Sequence, residues 1–428
     1  MPIFPKTVEV TTFNGLNNVL PPERTPRSYL KVAENIDIDK SGGIHKRPGY
    51  TKKISGNFHS LWGEGNSLLS VKDGNLVRIA DDFSVVSLST LRSNEEVSFS
   101  SVDGSKDIYF VSPGGDCGHI VDDVVHPFGI SKPNSPSLSE VVSNSQLTSG
   151  KYQVALTYID SEGSESGSGV AISLSIQDGS AITVSDIRAS AEVGVDGINI
   201  YCSPPNGDVL YKLDQIPNIN STYTITEVHS VGVTPLKSFN MSPAPHGDIL
   251  RYYKGRFYIS EGNILWYSSP FSLKWFNKQS DFFVFESTIT EVMPVDDGIW
   301  VGTETGLYYL RGDAPEKMTL NLLESVNIVK GTGEKIMGAY LFIENTPLGY
   351  KWLVTSDKGV FVCFNNGITL NLTEANVVFP QANRGASTFI QKDGINRYLT
   401  LLEEKKPSNN ASASDIVTAT VIRNGIAI

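Results

Sequence analysis

Apolar and polar residues alternate over short stretches that end at Gly, Asn, Asp or Ser, the pattern of half-buried strands joined by tight turns. Ser67-Leu68-Leu69-Ser70-Val71 and Leu76-Val77-Arg78-Ile79 flank Asp73-Gly74, a dipeptide suited to a two-residue hairpin turn. The same grammar recurs at Arg251–Ser260 and Ile264–Tyr267 around Glu261-Gly262-Asn263, and at Ile299–Thr303 and Leu307–Leu310 around Glu304-Thr305-Gly306. It recurs once more at Trp352–Val354 and Val360–Val362 around Asp357-Lys358-Gly359. Units of this plan begin near residues 59, 250, 296 and 349. The later spacing of roughly 45–55 residues is the period of a four-stranded propeller blade. The long first gap holds another such stretch, Val97–Ser100 followed by Asp107–Val111.

The rest of that gap differs in composition. From Ser135 to Pro235 the chain is rich in Ser, Thr and Val and carries eleven acidic residues against three basic, Lys151, Arg188 and Lys212. Gly150–Tyr158 alternates cleanly, Asp160–Ser166 turns the chain, and Gly197–Tyr201 supplies a further strand. About seven strands fit in roughly 100 residues, the size of an immunoglobulin-like sandwich. The segment resembles a fibronectin type III-like module, with Tyr152 and Tyr158 as core or corner aromatics. The expected fold class is therefore all-β, a β-propeller with an inserted fibronectin type III-like β-sandwich. Its expected parts are an N-terminal arm and first strands at 1–58, propeller at 59–134, sandwich at 135–235, and propeller again at 236–428. Pro22–Ile36, with Tyr29, Leu30, Ala33 and Ile36 near helical spacing, is expected to form a short helix. Residues 404–414 read as a mobile loop before a ring-closing strand at Ile416–Ile422.

Composition narrows the function. The 428 residues are 40% hydrophobic and 19% charged, with 38 Gly and 22 Pro, which suits neither a coiled coil nor a disordered chain. A formal net charge of -11 argues against a general nucleic-acid coat. Three widely spaced cysteines, Cys117, Cys202 and Cys363, fit neither a disulfide scaffold nor a metal knuckle and point to synthesis in a reducing compartment. The opening MPIFPKTVEV lacks an apolar core, and no window reaches about eighteen uninterrupted apolar residues, so neither a signal peptide nor a membrane span is expected.

Catalytic chemistry finds little support. The six histidines form no HExxH pattern, and no phosphate-binding or dinucleotide fingerprint follows a strand. No cofactor, no metal and no enzymatic activity are expected. Cys117 and His119 flank Gly118 in a Gly-rich stretch that reads as a flexible hairpin loop rather than a thiol–imidazole pair. Asp37-Ile38-Asp39-Lys40-Ser41-Gly42 opens like a calcium loop, but its twelfth position is Pro48 where a bidentate carboxylate is required. Asp122-Asp123 and Asp296-Asp297 stand where turns are expected, an ordinary place for Asp. Charge, by contrast, is segregated. Residues 1–60 hold nine basic side chains against five acidic, a net of +4, which leaves -15 on the remainder. A basic arm on an acidic body suits docking against a neighbour or a further copy. Its candidate contact residues are Arg24, Arg27, Lys46, Arg47, Lys52 and Lys53.

Phe13-Asn14-Gly15-Leu16, Ala33-Glu34-Asn35-Ile36-Asp37-Ile38 and Gly42-Gly43-Ile44-His45-Lys46-Arg47-Pro48-Gly49-Tyr50 carry a resemblance. They are similar to the opening of the tail-nozzle proteins of short-tailed phages, also called tail tubular protein B, and of related packaged-DNA stabilisation proteins. The resemblance is strongest over residues 8–50. It implies a virion protein of the tail, a ring of six copies below the head-to-tail adaptor and portal complex, with distal tail or fibre proteins as further neighbours. DNA would pass through the lumen without sequence-specific binding, and Gly42-Gly43 would form the tight turn ahead of the Lys46-Arg47 cations. The competing expectation is a soluble glycan-binding or hydrolytic propeller with Trp266, Trp275 and Trp300 stacking on sugar rings. An adhesin, a third possibility, lacks the export signal.

Overall fold

A computed structural model describes residues 9–64, 67–229, 234–341, 346–392 and 394–404, together with three two-residue strands farther on. The chain is all-β. A short hairpin, β1 (Ile36–Ile38) and β2 (Ile44–Lys46), is followed by repeated four-stranded antiparallel meanders, the blade of a β-propeller. The first is β3 (Phe58–Glu64), β4 (Ser67–Lys72), β5 (Asn75–Ile79) and β6 (Val85–Thr90); the second is β7 (Ser98–Ser101), β8 (Ile108–Val111), β9 (Cys117–Val121) and β10 (Val124–Pro127).

The inserted segment comprises β11 (Ser137–Val142), β12 (Gly150–Asp160), β13 (Ile172–Ile176), β14 (Ser180–Ile187), β15 (Val195–Cys202), β16 (Tyr211–Pro217) and β17 (Ser221–Ile225). Its strands form two sheets, ordered β11-β14-β17 and β13-β12-β15-β16, that close over a core including Val154, Leu156, Ile182, Val184, Ile198 and Ile200. Tyr152 and Tyr158 are both buried in that core. Their hydroxyls donate to the carbonyls of Thr148 (2.9 Å) and Arg188 (2.8 Å), so neither polar tip is stranded.

Meanders resume with β18 (Ile249–Tyr253), β19 (Arg256–Glu261), β20 (Ile264–Ser269) and β21 (Ser272–Phe276), with β22 (Phe282–Val284) added against β20. Next come β23 (Ile289–Val295), β24 (Gly298–Thr303), β25 (Leu307–Arg311) and β26 (Thr319–Glu324), then β27 (Glu334–Ile336), β28 (Lys351–Ser356), β29 (Gly359–Cys363) and β30 (Thr369–Asn371). The last sheet is built on the long hairpin of β31 (Ala382–Lys392) and β32 (Ile395–Glu404), to which β33 (Ile416–Val417), β34 (Ile422–Arg423) and β35 (Ile426–Ala427) attach. The expected loop at 404–414 lies almost wholly outside the described residues, as does the middle of the expected strand 416–422.

Two compact units emerge from the contacts. One holds Met1–Gly56, Gly262–Ile264 and Val284–Ile428; the other holds Asn57–Glu261 and Leu265–Phe283. Within the first, sheets stack face to face. Trp352, Val354, Phe361 and Cys363 alternate onto one side of β28 and β29 and meet Met293, Trp300 and Tyr309. Leu353, Val360 and Val362 point the other way and meet Tyr398 and Leu402 of β32. Within the second unit, Leu69, Val71 and Leu76 pack against Phe99, Ile108 and Phe110, and Tyr109 meets Phe257 with ring centroids 4.7 Å apart. The insert is tied to its own unit: the Trp275 indole N–H donates to the Glu165 carbonyl (2.6 Å), and the Ser168 N–H to the Ser238 carbonyl (3.0 Å).

Two expectations are corrected. Pro22–Ile36 is not a helix but a series of turns, in which Arg24 N–H bonds the Pro21 carbonyl and Tyr29 N–H the Pro26 carbonyl. Pro26 has no N–H to give and biases Thr25 away from helical angles, and that outweighs the apolar spacing. Cys117 and His119 do not lie in a loop; they belong to β9, in the middle of a sheet.

Trp300 is fully buried, rests on Tyr309 at 4.7 Å and donates its indole N–H to the Phe364 carbonyl (2.8 Å). Trp300→Ala is expected to destabilise the chain by about 3–5 kcal/mol, read as a lowered urea midpoint; a loss below about 0.5 kcal/mol would contradict the packing.

Candidate functional site

The basic N-terminal segment takes its shape from one aspartate. Asp39 follows β1 directly, and its Oδ1 accepts the Ser41 N–H (2.8 Å), the Ser41 hydroxyl (2.6 Å) and the Gly43 N–H (2.8 Å). Oδ2 meets Nε2 of His45 at 2.7 Å. The Ser41 hydroxyl first, then His45 and the Gly43 amide, hold the Asp39 carboxyl well below the usual carboxylate range. These are the oxygens a calcium loop would offer to a cation, and here they serve as the cap of a turn. Gly42 sits at φ +83°, and a Cβ there would stand 3.0 Å from both the backbone N of Phe13 and Cβ of Thr12, so the turn needs glycine on two counts. Phe13 N–H closes the contact by donating to the Gly42 carbonyl (2.9 Å).

The six candidate cations are not brought together. Arg24 and Arg27 are exposed in the turns after Pro21 and Pro26, and Lys52 and Lys53 are exposed beyond the hairpin. Lys46 and Arg47 are consecutive, so they leave the hairpin on opposite faces. The register pairs Lys46 with Ile36 and His45 with Asp37. Arg47 lies on the Asp37 side, where its Nε donates to Asp37 Oδ1 at 3.1 Å and its side chain is half-buried. Arg47 therefore fixes the hairpin, whereas Lys46 is exposed and has no ion pair among the described residues. Tyr50, fully exposed, follows four residues later.

The other constellations serve packing. Asp297 Oδ1 accepts the Tyr309 hydroxyl (2.7 Å) and its Oδ2 the Asn366 N–H (2.9 Å), while Asp296 Oδ2 accepts from Asn365 Nδ2 (2.9 Å). The two carboxylates bind the β23–β24 turn to the loop after β29. Trp266 is 9% exposed and donates to Glu261 Oε2 (2.9 Å); Trp300 is fully buried; Trp275 is half-buried with its N–H taken. Trp266 and Trp300 are therefore core residues with no open face for a sugar ring. His119 stacks on Tyr109 at 5.3 Å and shares a hydrogen bond with the Pro127 carbonyl (3.1 Å), and burial lowers its pKa. Sequence reasoning missed a further cation, Arg397, which is 93% removed from solvent on β32, in the same unit as the hairpin.

No protein-family model and no curated protein matches the chain. Among solved structures, a streptogramin B lyase is 10% identical with a TM-score of 0.32, over 81% of this chain and 89% of that one. The N-terminal domain of Nup159 is 11% identical with a TM-score of 0.32, over 92% of each chain. A catalytically inactive virginiamycin B lyase from Staphylococcus aureus is 9% identical with a TM-score of 0.26, over 86% and 89%. At these values no chemistry passes from them to this chain.

Burial pushes the Cys117 thiol up to about 11. At pH 8 its thiolate is expected to be roughly a hundredfold scarcer than that of a free cysteine, so maleimide labelling should be correspondingly slow and should accelerate as pH rises toward 11. Labelling as fast as that of glutathione at pH 8 would show an activated thiol instead.

Proposed function

We propose that the chain is a structural component of a phage tail, a ring-forming nozzle or hub in six copies below the head-to-tail adaptor, which retains packaged DNA and forms the conduit for its ejection. The observation that supports this reading is the charge segregation: a +4 segment ordered by the Asp39-capped hairpin, on a chain whose remainder carries -15. In this reading the exposed Lys46, Arg24, Arg27 and Lys52 meet acidic neighbours, and Arg47 holds the hairpin that presents Lys46. An acidic conduit suits DNA that must slide, because each neutralised phosphate would add counterion-release affinity and slow ejection. The seven-strand insert is, in this reading, a fibronectin type III-like module directed at a different neighbour. No enzymatic turnover is required.

Charge reversal of Lys46 to Glu is expected to slow assembly onto the adaptor, most at low salt, while changing stability by no more than about 1 kcal/mol. Arg47→Glu is expected to do more, since it also sets like charge beside Asp37. Imaging of virions decides the assignment: a ring of this chain between adaptor and distal tip is expected, and intact, DNA-retaining tails made without it would refute the proposal.

A further inference from the structure

Neighbouring residues of β32 face opposite ways. Tyr398 enters the core, where its hydroxyl donates to the Thr332 carbonyl at 2.6 Å. Ile395 and Arg397, on the other face, line a cleft of about 440 Å³ whose opposite wall is the β1–β2 hairpin. Arg397 is only 7% exposed, yet its guanidinium has neither an ion pair nor a hydrogen bond to any described residue. Such burial is costly for a permanent cation unless a counter-charge is supplied.

The cleft's own carboxylates do not supply it. Asp37 is engaged by Arg47, and Asp39 by Ser41, Gly43 and His45. Its remaining cations, Lys40 and Lys46, are likewise without ion pairs among the described residues. Lys40 reaches across to the β31–β32 turn, where its Nζ would lie 2.7 Å from a Cβ placed on Gly394. Among the described residues the wall thus carries three cations beyond those its two aspartates engage, one of them the planar fork of a largely buried arginine, of the kind that binds oxyanions with two parallel hydrogen bonds. The volume falls in the range of small-molecule sites, larger than a bare phosphate needs, and Ile395 and Pro48 give it apolar surface for an organic body.

We propose that this cleft binds a small organic molecule through an oxyanion group, a phosphate or a carboxylate, held by Arg397 at the floor and Lys40 at the rim. The residues named all belong to one chain, so the proposal does not rest on the tail assignment and is tested on the isolated protein.

The test is titration calorimetry on the full chain in a low-chloride buffer, with inorganic phosphate and acetate as separate probes. Saturable binding of at least one is expected, and which one binds more tightly tells a phosphate ligand from a carboxylate ligand. Arg397→Gln should weaken it by at least about tenfold, Arg397→Lys by less because charge remains without the fork, and Lys40→Gln severalfold. Circular dichroism checks each variant's fold. If Arg397→Gln fails to fold, Lys40→Gln, altering an exposed side chain, carries the test. No saturable binding of either anion, or equal affinity in wild type and the folded variants, would overturn the proposal.

Discussion

A four-stranded meander cannot bury its apolar faces alone, and in this chain several inner strands are covered on both faces by neighbouring sheets. Every residue of β24, β28 and β29 is buried. Alternation along β28 then assigns Trp352 and Val354 to one neighbouring sheet and Leu353 to the other. A substitution on an inner strand is consequently felt by two sheets, whereas β26, an edge strand exposed along most of its length, touches little. The constraint also fixes the polar residues that remain inside. Thr355, pointing with Leu353, meets the Tyr398 hydroxyl at 3.0 Å and Thr400 Oγ1 at 3.3 Å, so the interface between the last two sheets is keyed by hydrogen bonds as well as by shape.

The same requirement sets the turns, since stacked sheets leave chain reversals no room to drift. Asp73 N–H donates to the Asn57 carbonyl while Asn57 N–H donates to Asp73 Oδ1, both at 3.0 Å. Asp357 and Asn327 repeat this reciprocal pair at 3.1 and 3.0 Å, in the other unit. In both cases an aspartate in the turn between the second and third strands captures an asparagine ahead of the first, Asn57 directly before β3 and Asn327 seven residues before β27. Thr303 and Ser356 add a second recurring device, each hydroxyl accepting from a turn amide and donating to the carbonyl of the glycine three residues on. Repetition in this molecule lives in such ties more than in the sequence between them.

That explains what the sequence disclosed. Hairpins around Asp73-Gly74, Glu304-Thr305-Gly306 and Asp357-Lys358-Gly359 were legible because a local dipeptide or tripeptide chooses the turn and the flanking runs choose the strands. The Asn–Asp ties were not, because their partners stand 16 residues apart in one blade and 30 in the other, and a fixed period hides them. The helix over Pro22–Ile36 failed where apolar spacing competed with proline geometry. Lys46 and Arg47 read as one cationic patch because sequence proximity is not spatial proximity in a strand: the register turns one toward Asp37 and the other away. Arg397 was invisible for the opposite reason. Its importance comes from a hairpin some 350 residues earlier that walls it in, and no local pattern announces a contact across that distance.

These features place two demands on the N-terminal segment. The hairpin must stay rigid, which Asp39 and Arg47 secure, and it must carry excess positive charge, which Lys40 and Lys46 supply. A rigid hairpin limits the conformational entropy lost when anything binds to it. On a mobile arm the same cations would act only through a diffuse field, screened within about 8–10 Å at ordinary salt. Held against β32 they converge on a cleft with a buried guanidinium, where screening is weaker and geometry selects among anions. The capping carboxylate of Asp39 is therefore as important to recognition at this surface as the cations themselves. It keeps its negative charge engaged by the turn's own donors, and so orders the loop that carries Lys40 while leaving that charge uncancelled.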